Sequence, residues 1–304
     1  MPQGKQKITS SLWFDKDCEE AMNLYTSVFE NSKIVSIKRY PEGPLGDPWK
    51  GMEGKVLTGV FELAGQRFIA LDGGSYFKFN PAVSLFVNCA TVEEVKNIFE
   101  KLSVGGFVMM PLQKYPFSEM YVWFADKYGL SWQINVRGSK EKIVPAFMFV
   151  GDKFGRAEEA IKFYTSIFKD SSIDTIARYE KGEGDEEGKV KYASFVLEGQ
   201  QFKAMESSLS HKFVANGAIS QYIECETQEE IDYYWDKLKE GGDEKAQQCG
   251  WLQDKFGFSW QVSPAILGKL LSDPDPIKSD RVLQAMLQMK KIDIAGLNEA
   301  YDKN

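Results

Sequence analysis

The sequence predicts an α+β fold of two tandem copies, each made of paired β-α-β-β-β units. Two observations carry that prediction: an internal repeat with a period near 135 residues, and a regular switch between strand-like and helix-like spacing within each copy. The repeat is plainest between Glu19–Tyr40, EEAMNLYTSVFENSKIVSIKRY, and Glu158–Tyr179, EEAIKFYTSIFKDSSIDTIARY, where twelve of 22 positions are identical without a gap. FELAGQRF (Phe61–Phe68) answers FVLEGQQF (Phe195–Phe202). FVNCATVEEV (Phe86–Val95) answers YIECETQEEI (Tyr222–Ile231), and DKYGLSWQ (Asp126–Gln133) answers DKFGFSWQ (Asp254–Gln261). That period is too long for a solenoid repeat and suits duplicated domains. A seam in RGSKEK (Arg137–Lys142) divides the chain into domains 1–139 and 140–263, with an unrepeated tail over 264–304.

Within the first copy, ITSSLWF (8–14) reads as a strand. Ala21, Leu24, Tyr25, Val28 and Phe29 then fall on one face of a helix. Strands follow at about 33–40, 56–63 and 66–72, the last two split by Ala64-Gly65. The order then restarts with a strand over 82–89. Thr91 caps the next helix, which runs to about 103 with Glu94 at the capping-box position. Strands near 107–110, 120–125 and 131–136 close the copy, the first two separated by a long Phe107–Met120 loop containing Met109, Met110 and Pro111. The second copy follows the same plan from about 143 to 263. Its sixth strand, Asp243–Gln248, is weak, and the loop before its last two strands is eight residues shorter. After Asp273-Pro274-Asp275-Pro276 the tail predicts one or two amphipathic helices with Val282, Met286 and Met289 on one face, packed as a terminal arm.

Composition removes several function classes. A net charge of −7 with no Lys/Arg cluster argues against nucleic acid, and no apolar run approaches a membrane span. The single histidine, His211, cannot build a multi-histidine metal site, and any Ser–His–Asp or Cys–His mechanism would have to use it. Cys18, Cys89, Cys225 and Cys249 lie far apart with no CxxC. Sparse cysteines and an opening stretch without an apolar core predict a reduced, cytoplasmic protein.

LWFD (Leu12–Asp15), the doubled EEAxxxYTSxF, GGSYFKF (Gly73–Phe79) and CGWLQDKFGFSWQV (Cys249–Val262) resemble the PhnB-like branch of the vicinal-oxygen-chelate superfamily, which includes glyoxalase I, extradiol dioxygenases and bleomycin-resistance proteins. The resemblance implies tandem vicinal-oxygen-chelate domains, each closing paired β-α-β-β-β units into an incomplete barrel around a ligand cavity. Enzymes of that superfamily hold a divalent metal on His, Glu or Gln from four strands. Carried over, those places fall near Ser10, Asp72, Ala82 and Gln133 in the first copy, and near Glu206, Ala218 and Gln261 in the second. One carboxylate, one amide and an alanine per copy make a poor transition-metal site, so no metal and no cofactor is expected, with a divalent metal kept as the alternative.

Gln133 and Gln261 are the leading site candidates. Each follows a tryptophan on a last strand, so it points to the opposite face. Asp72 and Glu206 end the fourth strands; turned inward, they would be buried carboxylates with raised pKa and the candidate catalytic groups, and turned outward they would be ordinary strand-end acids. Trp13, Tyr222 and Trp251 complete the ligand-binding candidates by stacking on a flat molecule. The expected function is binding of a small organic molecule in a barrel cavity, the second copy first. The alternative is a metal- or carboxylate-assisted isomerase, lyase or dioxygenase. The expected partners are the small-molecule ligand and the other half of a pairing, either between the two domains of the chain or in a homodimer.

Overall fold

A computed structural model describes residues 6–43, 49–138 and 141–303. The domain boundary at 139/140 lies outside these residues. The first copy contains β1 (Ile8–Phe14), α1 (Cys18–Val28), β2 (Lys33–Arg39), β3 (Val56–Leu63) and β4 (Gln66–Asp72), then β5 (Val83–Cys89), α2 (Val92–Leu102), β6 (Phe107–Tyr115), β7 (Ser118–Ala125) and β8 (Ser131–Val136). The second contains β9 (Ile143–Phe149), α3 (Ala157–Ile167), β10 (Ser172–Arg178), β11 (Val190–Leu197) and β12 (Gln200–Glu206), then β13 (Ile219–Cys225), α4 (Gln228–Leu238), β14 (Asp243–Gln248), β15 (Trp251–Gln253) and β16 (Ser259–Pro264). Three helices end the chain: α5 (Ile266–Leu271), α6 (Pro276–Leu287) and α7 (Ile294–Asp302).

Every β-α-β-β-β unit solves the same problem in the same way. The helix carries the chain back, so the first strand can pair in parallel with the fourth, while the short hairpins leave the other strands antiparallel. The predicted helix face is buried through Ala21, Tyr25 and Phe29, with Met22 added. Thr91 and Thr227 cap α2 and α4 by accepting from the N–H groups of Glu94 and Glu230.

The chain forms two compact units. In the larger, residues 10–219, eight strands make one open sheet in the order β10-β11-β12-β9-β5-β8-β7-β6. Its centre is the antiparallel pair β5 and β9, from Val83 opposite Phe147 to Val87 opposite Ile143. One sheet thus joins the second unit of the first copy to the first unit of the second copy. The same compact unit contains the four strands β1-β4-β3-β2.

Ring contacts show which face of the eight-stranded sheet the helices cover. Phe99 of α2 meets Phe124, Tyr25 of α1 meets Trp132, and Tyr164 of α3 meets Phe147. Alternation along each strand puts Tyr121, Trp123, Gln133, Ser84, Phe86, Ala146 and Lys203 on the other face.

The smaller unit, residues 6–9 with 220–303, contains β13-β16-β15-β14 and the tail. The amide of Glu224 donates to the Lys7 carbonyl at 3.1 Å, and Lys7 pairs with Glu230 at 2.9 Å. The tail buries Leu267, Leu270, Val282, Ile292 and Leu297, with Met286 and Met289 packed against them. It is fastened to the turn before β15 by bonds from the Cys249 and Gly250 amides to the carbonyls of Met289 and Lys290.

One segment differs from the sequence expectation. The predicted Phe107–Met120 loop is a hairpin, paired from Phe107 with Ala125 to Tyr115 with Ser118. Pro111 is tolerated because β6 is an edge strand and the register shifts between Met110 and Gln113. No helix among the described residues is long and apolar enough to cross a membrane.

Candidate functional site

The DKxGxSWQ motif shapes the strand that carries each glutamine. Asp126 accepts from the amides of Tyr128 and Leu130 at 2.9 and 3.1 Å. It also accepts from the Tyr25 hydroxyl at 2.7 Å and Trp132 Nε1 at 2.9 Å. Burial pushes its carboxyl up, and these donors oppose that shift. Asp254 accepts from the amides of Phe256 and Phe258 and from Trp260 Nε1. Gly129 and Gly257 turn the chain at φ of +88° and +89°, where other residues are strained. Locking the tryptophan on one face delivers the next residue to the other.

Gln133 is there held at both ends of its amide. Its Nε2 donates to Ser84 Oγ at 2.7 Å, and its Oε1 accepts from the Tyr121 hydroxyl at 2.8 Å. Phe86, Tyr121, Val144 and Ala146 form the apolar bed, with Met110, Tyr115, Trp123 and Met205 packed against it. In the smaller unit Gln261 Nε2 donates to Ser220 Oγ at 2.8 Å, and Tyr222 and Trp251 sit opposite Gln261 on the neighbouring strands. Two residues beyond each glutamine a polar atom is buried without a hydrogen-bond partner: Asn135 Oδ1 in one face and Ser263 Oγ in the other.

Asp72 and Glu206 are both buried, and their carboxylates are taken up by backbone amides. Asp72 accepts from the amides of Cys18 and Val56 at 2.9 and 3.0 Å; Glu206 accepts from those of Ala157 and Val190, both at 2.7 Å. Each carboxylate therefore ties the first residue of a helix to the first residue of a strand. Burial raises the Asp72 pKa, yet the group serves backbone amides. Glu206 follows Met205 on β12 and so faces away from Gln133.

Trp13 is likewise separate from the glutamines. Its Nε1 donates to the Gly74 carbonyl at 2.8 Å, and its ring meets Phe77 edge-on at 5.2 Å. A Cβ at Gly73 would lie 2.2 Å from the Trp13 ring, which explains the glycine in GGSYFKF. Together with Phe14, Phe77, Phe79, Phe107 and Tyr128 it lines a groove of about 510 Å³. His211 Nε2 lies 2.8 Å from Ser207 Oγ, and burial lowers its pKa.

Sequence reading missed Lys203. It is 3% exposed on β12, with Nζ 3.3 Å above the Phe86 ring centroid and 3.4 Å from Asn88 Oδ1. Burial, and then the nearby Arg137 charge, lowers its pKa to about 7. The signal was available in the repeat: QQFKAME answers QRFIALD, with Lys203 at the place of Ile69.

The donor set does not fit the superfamily metal. On the Gln133 face the amide oxygen is already accepting from Tyr121, and the neighbouring groups are hydroxyls and amides. Among the described residues no three His, Cys, Asp or Glu side chains come together as a metal site.

A family model described as 3-demethylubiquinone-9 3-methyltransferase matches residues 6–135 and again 141–263. Among solved structures, a putative 3-demethylubiquinone-9 3-methyltransferase, PhnB protein, from Bacillus cereus is 47% identical, over 43% of this chain and 100% of its own, with a TM-score of 0.40. Glyoxalase I from Zea mays is 11% identical, over 84% of this chain and 92% of its own, with a TM-score of 0.51; that likeness is one of fold. No curated protein matches the chain.

Proposed function

This chain belongs to the PhnB-like family described as 3-demethylubiquinone-9 3-methyltransferase, and we propose that it binds small organic molecules on its two glutamine-centred faces, without a tightly held metal. The observation that carries this reading is the repeated bond from glutamine Nε2 to serine Oγ, 2.7 Å for Gln133 with Ser84 and 2.8 Å for Gln261 with Ser220. Each pair is a fixed polar anchor among aromatic side chains, the usual make-up of a small-molecule site. Methyl transfer is not part of the proposal. A doubly wound parallel sheet with a glycine-rich strand–turn–helix is the usual nucleotide-cofactor architecture, and the described strands pair largely antiparallel. Asp72 and Glu206 are assigned to structure, and Tyr222, Trp251, Gln133 and Gln261 to ligand contact. The reduced, buried thiols of Cys18, Cys89 and Cys225 suit a cytoplasmic setting.

The test joins a thermal-shift screen of flat aromatic compounds to metal analysis after dialysis against manganese, nickel, zinc and iron. The reading expects a saturable shift that Gln133→Leu or Gln261→Leu abolishes, with metal well below one equivalent. About one retained equivalent of metal, or binding indifferent to both substitutions, overturns it.

A further inference from the structure

Lys203 is a charged group buried by the fold and left unexplained by the anchors alone. Resting on the binding role proposed above, we infer that the face around Lys203 is a site for a small, flat organic carboxylate that also carries a hydrogen-bond donor. Lys203 and Arg137 would pair with the carboxylate, and Phe86 and Tyr192 would flank the ring.

An ammonium group removed from water is expensive unless an opposite charge accompanies it. Lys203 is 3% exposed, and no carboxylate forms an ion pair with it among the described residues. Its one polar contact is long: Asn88 Oδ1 at 3.4 Å, while the Asn88 Nδ2 is committed to the Glu141 carbonyl at 2.9 Å.

The surroundings add positive charge instead of removing it. The Tyr192 ring has Lys203 Nζ 5.6 Å from its centroid and the Arg137 guanidinium 5.7 Å from it. The titratable groups facing Lys203 are Arg137 and Tyr192; β5 and β9 contribute Phe86, Asn88, Val144 and Ala146, and β11 places Ser194 opposite it, bonded to the exposed Asp174 carboxylate of β10 at 3.5 Å. Lys203, buried without an ion-paired acid among the described residues and beside a second cation, is completed by an anion.

A second observation points to a ligand independently. Asn135, 4% exposed and paired in register with both Asn88 and Tyr121, has a buried Oδ1 with no partner. An orphaned acceptor in an apolar bed is satisfied by a hydroxyl or amide donor. The fold itself does not require the cation, because Ile69 holds the same place on β4. Since the amine is about half neutral near pH 7 when no anion is present, carboxylate binding should draw a proton onto it.

The experiment is titration calorimetry of the full chain with benzoate, 3-hydroxybenzoate and cinnamate, each beside its primary amide. Carboxylates are expected to bind about tenfold or more tightly than the amides, with proton uptake seen as a buffer-dependent enthalpy near pH 8. Lys203→Met and Lys203→Ile should erase that preference, bringing carboxylate affinity down to that of the amide. Equal affinity for carboxylate and amide, or a preference that survives both substitutions, overturns the carboxylate site. If Gln133→Leu then weakens both compounds alike, the general binding role still stands. If neither class binds the unaltered chain, both readings fall.

Discussion

The Gln133 face and the Gln261 face keep the same anchor and differ in nearly everything around it. Ser84 and Ser220, and Trp123 and Trp251, hold corresponding places beside the two glutamines. Phe86, Asn88 and Asn135 on one face are replaced by Tyr222, Glu224 and Ser263 on the other. Duplication has preserved the device that aims the strand and released the residues that a ligand would touch. The Gln133 face also draws on both copies, taking Gln133 and Phe86 from the first and Ala146, Lys203 and Met205 from the second. A single copy is therefore not the unit in which that site is built.

Four measurements test how far the two faces differ. The largest effect belongs to the conserved device: Asp126→Ala strips four donors of their acceptor and should cost about 3 kcal/mol, read from urea unfolding. Asp254→Ala should be similarly severe, and a mild effect at either would mean that the motif does different work in the two copies.

Next comes the divergent position. Lys203 has a folded pKa near 7, below its unfolded value, so the unfolded chain binds more protons between those limits. Its cost is full below about pH 7 and relieved as pH rises toward the unfolded value. Lys203→Ile should therefore stabilise by about 2 kcal/mol at roughly pH 6, with the gain shrinking toward pH 10; a loss of stability at pH 6 contradicts the account.

The anchors should differ modestly. Gln133→Leu leaves Ser84 and Tyr121 without a partner and should cost about 2 kcal/mol, against about 1 kcal/mol for Gln261→Leu, which orphans Ser220. Equal costs, measured by the same unfolding, would say that Tyr121 finds another acceptor. The smallest and most symmetrical effect is at the helix caps, where Thr91→Ala and Thr227→Ala should each cost about 1 kcal/mol. A clear inequality in urea midpoint would show that one helix depends less on its cap.

Much of this architecture was legible because repeat and periodicity report local structure twice. The strand over 66–72 and the capped helix after Thr91 follow from spacing and cap chemistry alone. The pairing of β5 with β9 was not legible, because both are buried strands whose patterns fit many neighbours. The site divided along the same line. Alternation beside Trp132 and Trp260 correctly turned Gln133 and Gln261 to the face opposite those rings. For Asp72 and Glu206 the sequence left inward and outward placements open, because a strand-end carboxylate looks the same whether it meets a cavity or a helix N-terminus. Lys203 escaped notice, since its burial depends on Phe86 and Tyr192 from other strands.

The bond between Lys7 and Glu230 spans 223 residues of chain. At roughly 5–20 residues per second of synthesis, Lys7 waits roughly 10–45 s for its partner to leave the ribosome. For that interval Lys7 stands without its ion pair, although β1 gains its parallel partner β4 as soon as residue 72 has been made. A slow stretch of translation before residue 230 would lengthen that wait without changing the finished protein.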